Sequence, residues 1–189
     1  TFFLVPTGRG TQLHSLSPTE REDVLHWLHD VSDRIAIKTT EAPQYRRVAL
    51  QRKQPDYAYS GGDLYQQLTA QTHKLLGEVP VKPRRPRPPM AVNSGSGFAF
   101  IDHIGDVYPS GFLPLHCGNV TDTSFADIYE HSPVFQNLRD PDHWEGKCSV
   151  CEFHTVCGGS RSTAYAMTGN YRASDPTCSY VPPAWKKSS

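Results

Sequence analysis

The sequence has no charge of either sign to spare. Across 189 residues, 19 Lys and Arg balance 19 Asp and Glu, so the overall field offers nothing to DNA, an anionic membrane or a strongly charged partner. It also lacks any apolar run near the roughly 20 residues needed to cross a bilayer. The start, Thr1-Phe-Phe-Leu-Val-Pro6, has neither a basic segment nor a cleavage site. These absences predict a cytoplasmic protein with no membrane and no nucleic-acid partner. No internal repeat is evident, and the nine histidines show no paired metal spacing. Disulfide staples are excluded in another way: the five cysteines are odd in number and bunch into one segment, where a secreted framework needs even pairing. What is present is 37% hydrophobic residues, enough for a core in one medium domain or two small ones.

Residues 1–6 form a short apolar run ended by Pro6-Thr-Gly-Arg9-Gly, the pattern of a buried strand turning into a loop. Ser17-Pro-Thr-Glu20 is a capping box with proline in the first turn, and Val24, Leu25, Leu28 and Val31 recur at helical spacing through about Asp33. A β-branched run follows from Ile35 to Thr40. Strand, helix, strand makes one βαβ unit of a parallel sheet or barrel. A lone unit of this kind covers only one face of its sheet, which together with the abrupt strand at Thr1 predicts an excised or truncated chain. A helix is expected over Asp63 to Leu76. Residues 80–89 then hold five prolines with Lys82, Arg84, Arg85 and Arg87, which precludes a regular element and reads as a solvated extended linker.

From Phe98 to Pro109 the alternation predicts a β-hairpin turning around His103 to Asp106. Short helices should start at Ser124 and Ser132, with Gly146 closing the region. The fold class is therefore α/β, or α+β overall, divided into residues 1–60, a helix and linker over 61–97, and a small domain over 98–189.

The chemistry concentrates in that small domain. Cys148-Ser-Val-Cys151 puts two thiolates on one tight turn, Cys157 precedes Gly158-Gly159, and a helix from Ser160 to Thr168 ended by Gly169 returns the chain to Cys178. The paired glycines let the backbone pass close to a bulky group. Four thiolates at C-x2-C-x5-C-x20-C satisfy either tetrahedral zinc or a cubane [4Fe–4S] cluster. A zinc ribbon uses two paired C-x2-C turns, and only the first is paired here, which favours the cluster. Cys117, without nearby cysteines, reads as a structural thiol. Arg9, Glu41 and Arg46-Arg47 stand near the strand ends where a barrel's active face lies, without a pattern that assigns any of them a role; the catalytic residues stay unknown.

The run Cys148-Ser-Val-Cys151-Glu-Phe-His-Thr-Val-Cys157-Gly-Gly-Ser-Arg161, with Thr168-Gly-Asn-Tyr and Asp175-Pro-Thr-Cys178, resembles the SPASM extension of radical S-adenosylmethionine enzymes. The likeness reaches upstream to Gly105-Asp-Val-Tyr-Pro-Ser110-Gly-Phe and Cys117-Gly-Asn-Val120. The preceding strand–helix–strand, with Thr39-Thr-Glu-Ala-Pro43 and Tyr45-Arg-Arg, is similar to the closing part of that family's partial TIM barrel, particularly in members related to haem biosynthesis.

The resemblance implies an oxidoreductase that cleaves S-adenosylmethionine at a second, barrel-bound [4Fe–4S] cluster, with Cys148, Cys151, Cys157 and Cys178 holding an auxiliary [4Fe–4S] cluster for electron relay or substrate positioning. It implies as partners the missing N-terminal barrel portion, a small-molecule or peptide substrate and a reductant such as ferredoxin or flavodoxin. Ser110 and Arg161 stand where many members carry further cysteines, which argues against a second auxiliary cluster. No C-x3-C-x2-C motif occurs, so this chain alone should not perform the radical step. The competing reading is a zinc-stabilised interaction module without catalysis.

Overall fold

The computed structural model describes residues 1–4, 15–77 and 92–185. The Pro/Arg-rich segment 80–89 and Arg9 lie outside them. The N-terminal part begins with β1 (Phe2–Phe3), α1 (Pro18–Val31) and β2 (Thr39–Thr40). The two strands pair in parallel, Phe2 with Thr39 and Phe3 with Thr40, so the βαβ connection is present. The strands are shorter than the sequence suggests. Ile35 is 49% exposed and Phe3 42% exposed, and residues 35–37 make no strand pairing, so the ladder is confined to two residues on each side.

Helix α1 starts as its sequence dictates. The Ser17 hydroxyl accepts from the Glu20 amide at 3.2 Å while the Glu20 carboxylate accepts from the Ser17 amide at 2.7 Å, closing the capping box. Its inward face supplies Val24, Leu25 and Leu28 to a core shared with Ala42 and Val48. Helix α3 (Asp63–Leu76) has the bounds expected and adds Leu64 and Leu68 to that core. Asp23 of α1 fastens it: its carboxylate accepts from the Gly62 and Tyr65 amides at 2.8 and 3.2 Å and from the Tyr59 hydroxyl at 2.5 Å. One buried acid thus satisfies backbone donors that the first turn of α3 leaves open.

Between β2 and α3 lies a helix that periodicity did not announce, α2 (Gln44–Gln51), with Pro43 at its N-cap. Its buried face is Gln44, Arg47, Val48 and Gln51, three polar residues to one apolar. It is built to meet polar groups, and those groups belong to the cysteine-rich region.

The C-terminal part opens on the expected hairpin, β3 (Phe100–Ile101) and β4 (Asp106–Tyr108). The Asp102 carboxylate accepts from the amides of Ile104 and Asp106, both at 3.0 Å, and Gly105 takes a φ of +90°, which closes the turn. A third antiparallel strand, β5 (Gly118–Asn119), pairs with β4 and was not foreseen. Helices α4 (Phe125–His131) and α5 (Pro133–Arg139) follow, with Ile128 and Phe135 packing on Val107. Two 3-10 turns, Pro141–His143 and Gly146–Cys148, lead into the cysteines, and α6 (Arg161–Thr168) runs from a Ser160 N-cap to Gly169 at φ +74°. The architecture is mixed helix and strand with two small sheets. No helix among the described residues is long and apolar enough to cross a membrane.

Candidate metal centre

Cys148, Cys151, Cys157 and Cys178 all open on one cleft of about 340 Å³, its mouth included, whose wall also carries Arg47, Lys147, His154, Gly158, Gly159 and Tyr180. All four predicted ligands are thus brought together from segments up to thirty residues apart, and all are free thiols. Cys148 and Cys157 are buried, Cys151 and Cys178 half-buried.

Each is positioned by backbone chemistry. Cys148 ends a 3-10 turn, and its amide donates to the Ser174 hydroxyl at 3.0 Å. The chain turns back after Cys151, whose carbonyl accepts from the His154 amide at 2.9 Å. Cys157 receives the Gly159 amide on its sulfur at 3.5 Å, an N–H donor aimed at a thiol of the cleft. Cys178 is placed by Asp175, which is fully buried. That carboxylate accepts from the Ser160 amide at 2.8 Å, from the Thr177 amide and hydroxyl at 2.9 and 2.7 Å, and from the Gln44 side chain at 2.5 Å. A single carboxylate therefore ties the Cys178 loop, the N-terminus of α6 and helix α2 to one point.

Gly158 and Gly159 sit at φ +66° and +67°, the left-handed region that side chains resist. A Cβ on Gly158 would lie 2.6 Å from Trp144, and one on Gly159 would lie 2.9 Å from Asp175 and 3.3 Å from the Cys148 sulfur. The crowding anticipated around a cofactor is thus supplied in part by the protein itself, with the Cys148 sulfur as one of its members.

Burial pushes the Cys157 thiol up to about 12 and the Cys178 thiol up to about 11, and raises Cys151 as well. Desolvation is the largest cause in each, opposed by the guanidinium of Arg47. Thiols this reluctant to ionise in isolation become stable thiolates when iron or zinc supplies compensating positive charge. Among the described residues, no three Cys, His, Asp or Glu side chains gather closely enough to hold one metal ion. Four thiols that line a common cleft form a donor set that fits an iron–sulfur cluster.

The other singled-out residues fall elsewhere. Cys117 points its sulfur at the Leu115 carbonyl, 3.3 Å away, and packs beside Val107, Ile128 and Phe135, away from the cleft. Glu41, a non-glycine residue with positive φ (+55°), accepts from the Ser160 hydroxyl at 2.8 Å, and burial raises its pKa. Arg46 donates to the Val156 carbonyl at 3.0 Å and to that of Val92. Ser110 lies among buried serines, with Ser162 at 3.4 Å and Ser94 beyond it. Arg161 is fully buried, donating to the carbonyls of Tyr171 and Ala173 at 3.1 and 2.9 Å with its guanidinium over Trp144. The residues at 110 and 161 are absorbed into the fold of the small domain.

A residue that the sequence did not single out for the cleft is Arg47. Its guanidinium meets Glu22 of α1 at 2.6 and 2.8 Å and Gln51 at 2.6 Å, and lies over the Tyr180 ring at 4.8 Å. Ser179 donates to the same Glu22 at 3.2 Å. Helices α1 and α2 thus reach the edge of the cysteine cleft through one ion pair.

With this geometry in view, the matches to known proteins are specific. Residues 93–152 match the SPASM family, described as an iron-sulfur cluster-binding domain. This segment of the chain is thus similar to a SPASM domain. The matched stretch contains Cys148 and Cys151 and stops short of Cys157 and Cys178. Over 183 residues, 96% of the chain, it is 37% identical to AdoMet-dependent heme synthase of Methanosarcina barkeri, covering 47% of that protein. It is 38% identical over 185 residues to the enzyme of the same name from Oleidesulfovibrio alaskensis, covering 43% of it. A PqqA peptide cyclase of Gluconobacter oxydans is 36% identical over 109 residues, taking in 52% of the chain and 28% of the cyclase. The chain spans about half the length of the heme synthase relatives, corresponding to their C-terminal part. The haem-biosynthesis likeness seen in the motifs agrees with these names.

Proposed function

We propose that Cys148, Cys151, Cys157 and Cys178 hold one auxiliary [4Fe–4S] cluster in the SPASM domain of a radical S-adenosylmethionine enzyme. The observation that carries this reading is the convergence of all four thiols on a single cleft from separate turns of the chain. Such a cluster supplies one-electron chemistry at a potential set by its surroundings. The protein's part is to provide four thiolates, to aim the Gly159 amide at the Cys157 sulfur, and to cover the site with Tyr180, Pro182 and the Arg47 guanidinium.

Four-cysteine ligation leaves no position for the amino and carboxylate groups of S-adenosylmethionine. The role assigned to this site is therefore electron relay to or from the barrel, or substrate positioning, and not cleavage of S-adenosylmethionine. The radical step belongs to the whole enzyme: the chain's five cysteines contain no C-x3-C-x2-C motif. The parallel β1–β2 pair with α1 between them supports reading the N-terminal part as the closing portion of a partial barrel. Similarity to heme synthases over 96% of the chain, against about half for the peptide cyclase, favours an AdoMet-dependent heme synthase activity for the complete protein.

The test is anaerobic reconstitution of the chain with iron and sulfide, followed by metal and sulfide analysis. A brown protein with about four irons and four labile sulfides per chain is expected. A colourless protein that retains stoichiometric zinc in iron-replete preparations would replace the cluster with a zinc site.

A further inference from the structure

Arg47 is the least expected member of the cleft wall. It arises from α2, more than a hundred residues before the first ligand, yet its side chain is 1% exposed and lines the same cleft as the four cysteines. Burying a guanidinium is costly unless its charge and its N–H groups are met. Here Glu22 takes two of the terminal N–H groups and Gln51 a third, while the Tyr180 ring, two residues after Cys178, covers the flat face. The Nε is buried and finds no partner among the described residues. An orphaned donor on a buried cation is costly to leave unmade, and it belongs to a side chain on the wall of a cleft of thiols. Lys147, the other cation on that wall, is already engaged, its Nζ donating to the Cys178 carbonyl.

We propose that Arg47 is a positioning residue that raises the reduction potential of the cluster in this cleft, with Glu22 setting how much of its charge the cluster feels. The inference rests on the cluster reading above and deepens it. In a four-thiolate cubane the thiolates contribute more negative charge than the iron–sulfide core has positive, so the group is anionic when oxidised and more so when reduced. A buried cation and an N–H donor both stabilise the reduced form more, which moves the potential upward. Glu22 opposes this: its carboxylate at 2.6 Å cancels part of the guanidinium charge. The pair thus tunes the potential through two groups contributed by α1 and α2, in addition to the Gly159 amide and Lys147 of the cysteine domain. The same arrangement couples the relay to the docking of the N-terminal helices, since Arg47 reaches the cleft only while α2 is seated.

The test is a redox titration of the reconstituted chain followed by electron paramagnetic resonance, with iron content measured alongside. Arg47→Gln should lower the midpoint potential, and Glu22→Gln, which keeps the size and hydrogen-bonding reach of the side chain, should raise it. A merely structural role would not move the two in opposite directions. If Arg47→Gln does not fold, Glu22→Gln alone decides: a rise supports the proposal, an unchanged potential overturns it. Shifts of the same sign in both variants would also overturn it. A native chain that takes up no cluster would overturn the site reading itself, whereas an intact cluster whose potential ignores both substitutions would overturn only the role of Arg47.

Discussion

The N-terminal helices and the cysteine-rich segment are held together by different forces. Around α1, α2 and α3 an apolar core of Val24, Leu25, Leu28, Ala42 and Val48, with Phe2, Leu4, Leu16, Trp27, Ile37, Leu64 and Leu68 packed against it, lies beside the buried polar side chains of Asp23, His26, Gln44, Arg47 and Gln51. From residue 157 onward the fully or nearly buried side chains are Ser160, Arg161, Ser162, Thr163, Asp175 and Thr177, with Ala164 and Pro182 as the apolar exceptions beside the cysteines. Removing apolar area from water stabilises the first region at roughly 25 cal/mol per Å². The second has little of that to draw on, and its buried polar groups return only about 1 kcal/mol net for each hydrogen bond. Ligation of the proposed cluster would be the remaining source of stability. A fold organised in this way should depend on its cluster in one half and not in the other.

The largest effect should come from Cys151→Ala. Three remaining thiolates leave the site incomplete, and the variant should lose most of its iron together with order across residues 144–182. Hydrogen exchange is the measurement: amides after Trp144 should lose protection while those of α1 keep theirs. Equal loss in α1 would break the comparison, because it would make the two regions one cooperative unit.

The reciprocal change is Leu25→Ala, which opens a cavity where a side chain only 2% exposed had packed. It should cost about 2–5 kcal/mol in denaturant unfolding of the helical signal. Iron content per folded chain should stay at the native value, since no ligand or ligand-bearing turn is touched. Iron lost in step with helix stability would again argue for a single unit, this time with control running from the apolar core to the cleft.

The same contrast explains what could be read from the sequence. The elements that carry local signals are where they were expected: the Ser17 capping box starts α1, Pro133 opens α5, Gly169 closes α6, and Asp102 and Gly105 turn the hairpin. The four cysteines declared themselves by spacing. Helix α2 did not, because it turns Gln44, Arg47 and Gln51 inward and so has no apolar stripe for a period of 3.6 to reveal. Arg47 could be given no role for the same reason. A buried arginine is visible only once its acid, Glu22, twenty-five positions away, is seen beside it. Pro43 followed by eleven non-glycine, non-proline residues was the one available clue. The two-residue strands β1, β2 and β5 are too short to carry any alternation, so their register comes from tertiary contacts.

The smallest of the expected effects sharpens the comparison at the join between the regions. Glu22 is largely buried, and although that burial alone would raise its pKa, hydrogen bonds from His26 and Arg47 and the Arg47 charge hold it down to about 2. Its folded value is thus below its unfolded one, near 4.5. A depressed acid contributes stability that is fully present above the unfolded pKa and is lost as the pH falls through the folded one. Between about pH 4.5 and pH 2 the native chain should therefore lose stability on this account. Other lowered carboxylates, Asp30 and Glu20 among them, fall in the same direction, so the native curve by itself does not isolate the pair. Glu22→Gln does isolate it, because the amide cannot titrate. Thermal unfolding of the metal-free chain at pH 5 and pH 3 should show a smaller drop for Glu22→Gln than for the native protein. Equal drops would mean that the Glu22–Arg47 contact carries no net charge stabilisation in the folded chain. The seating of α2 against the cleft would then rest on Gln44 and Asp175 instead.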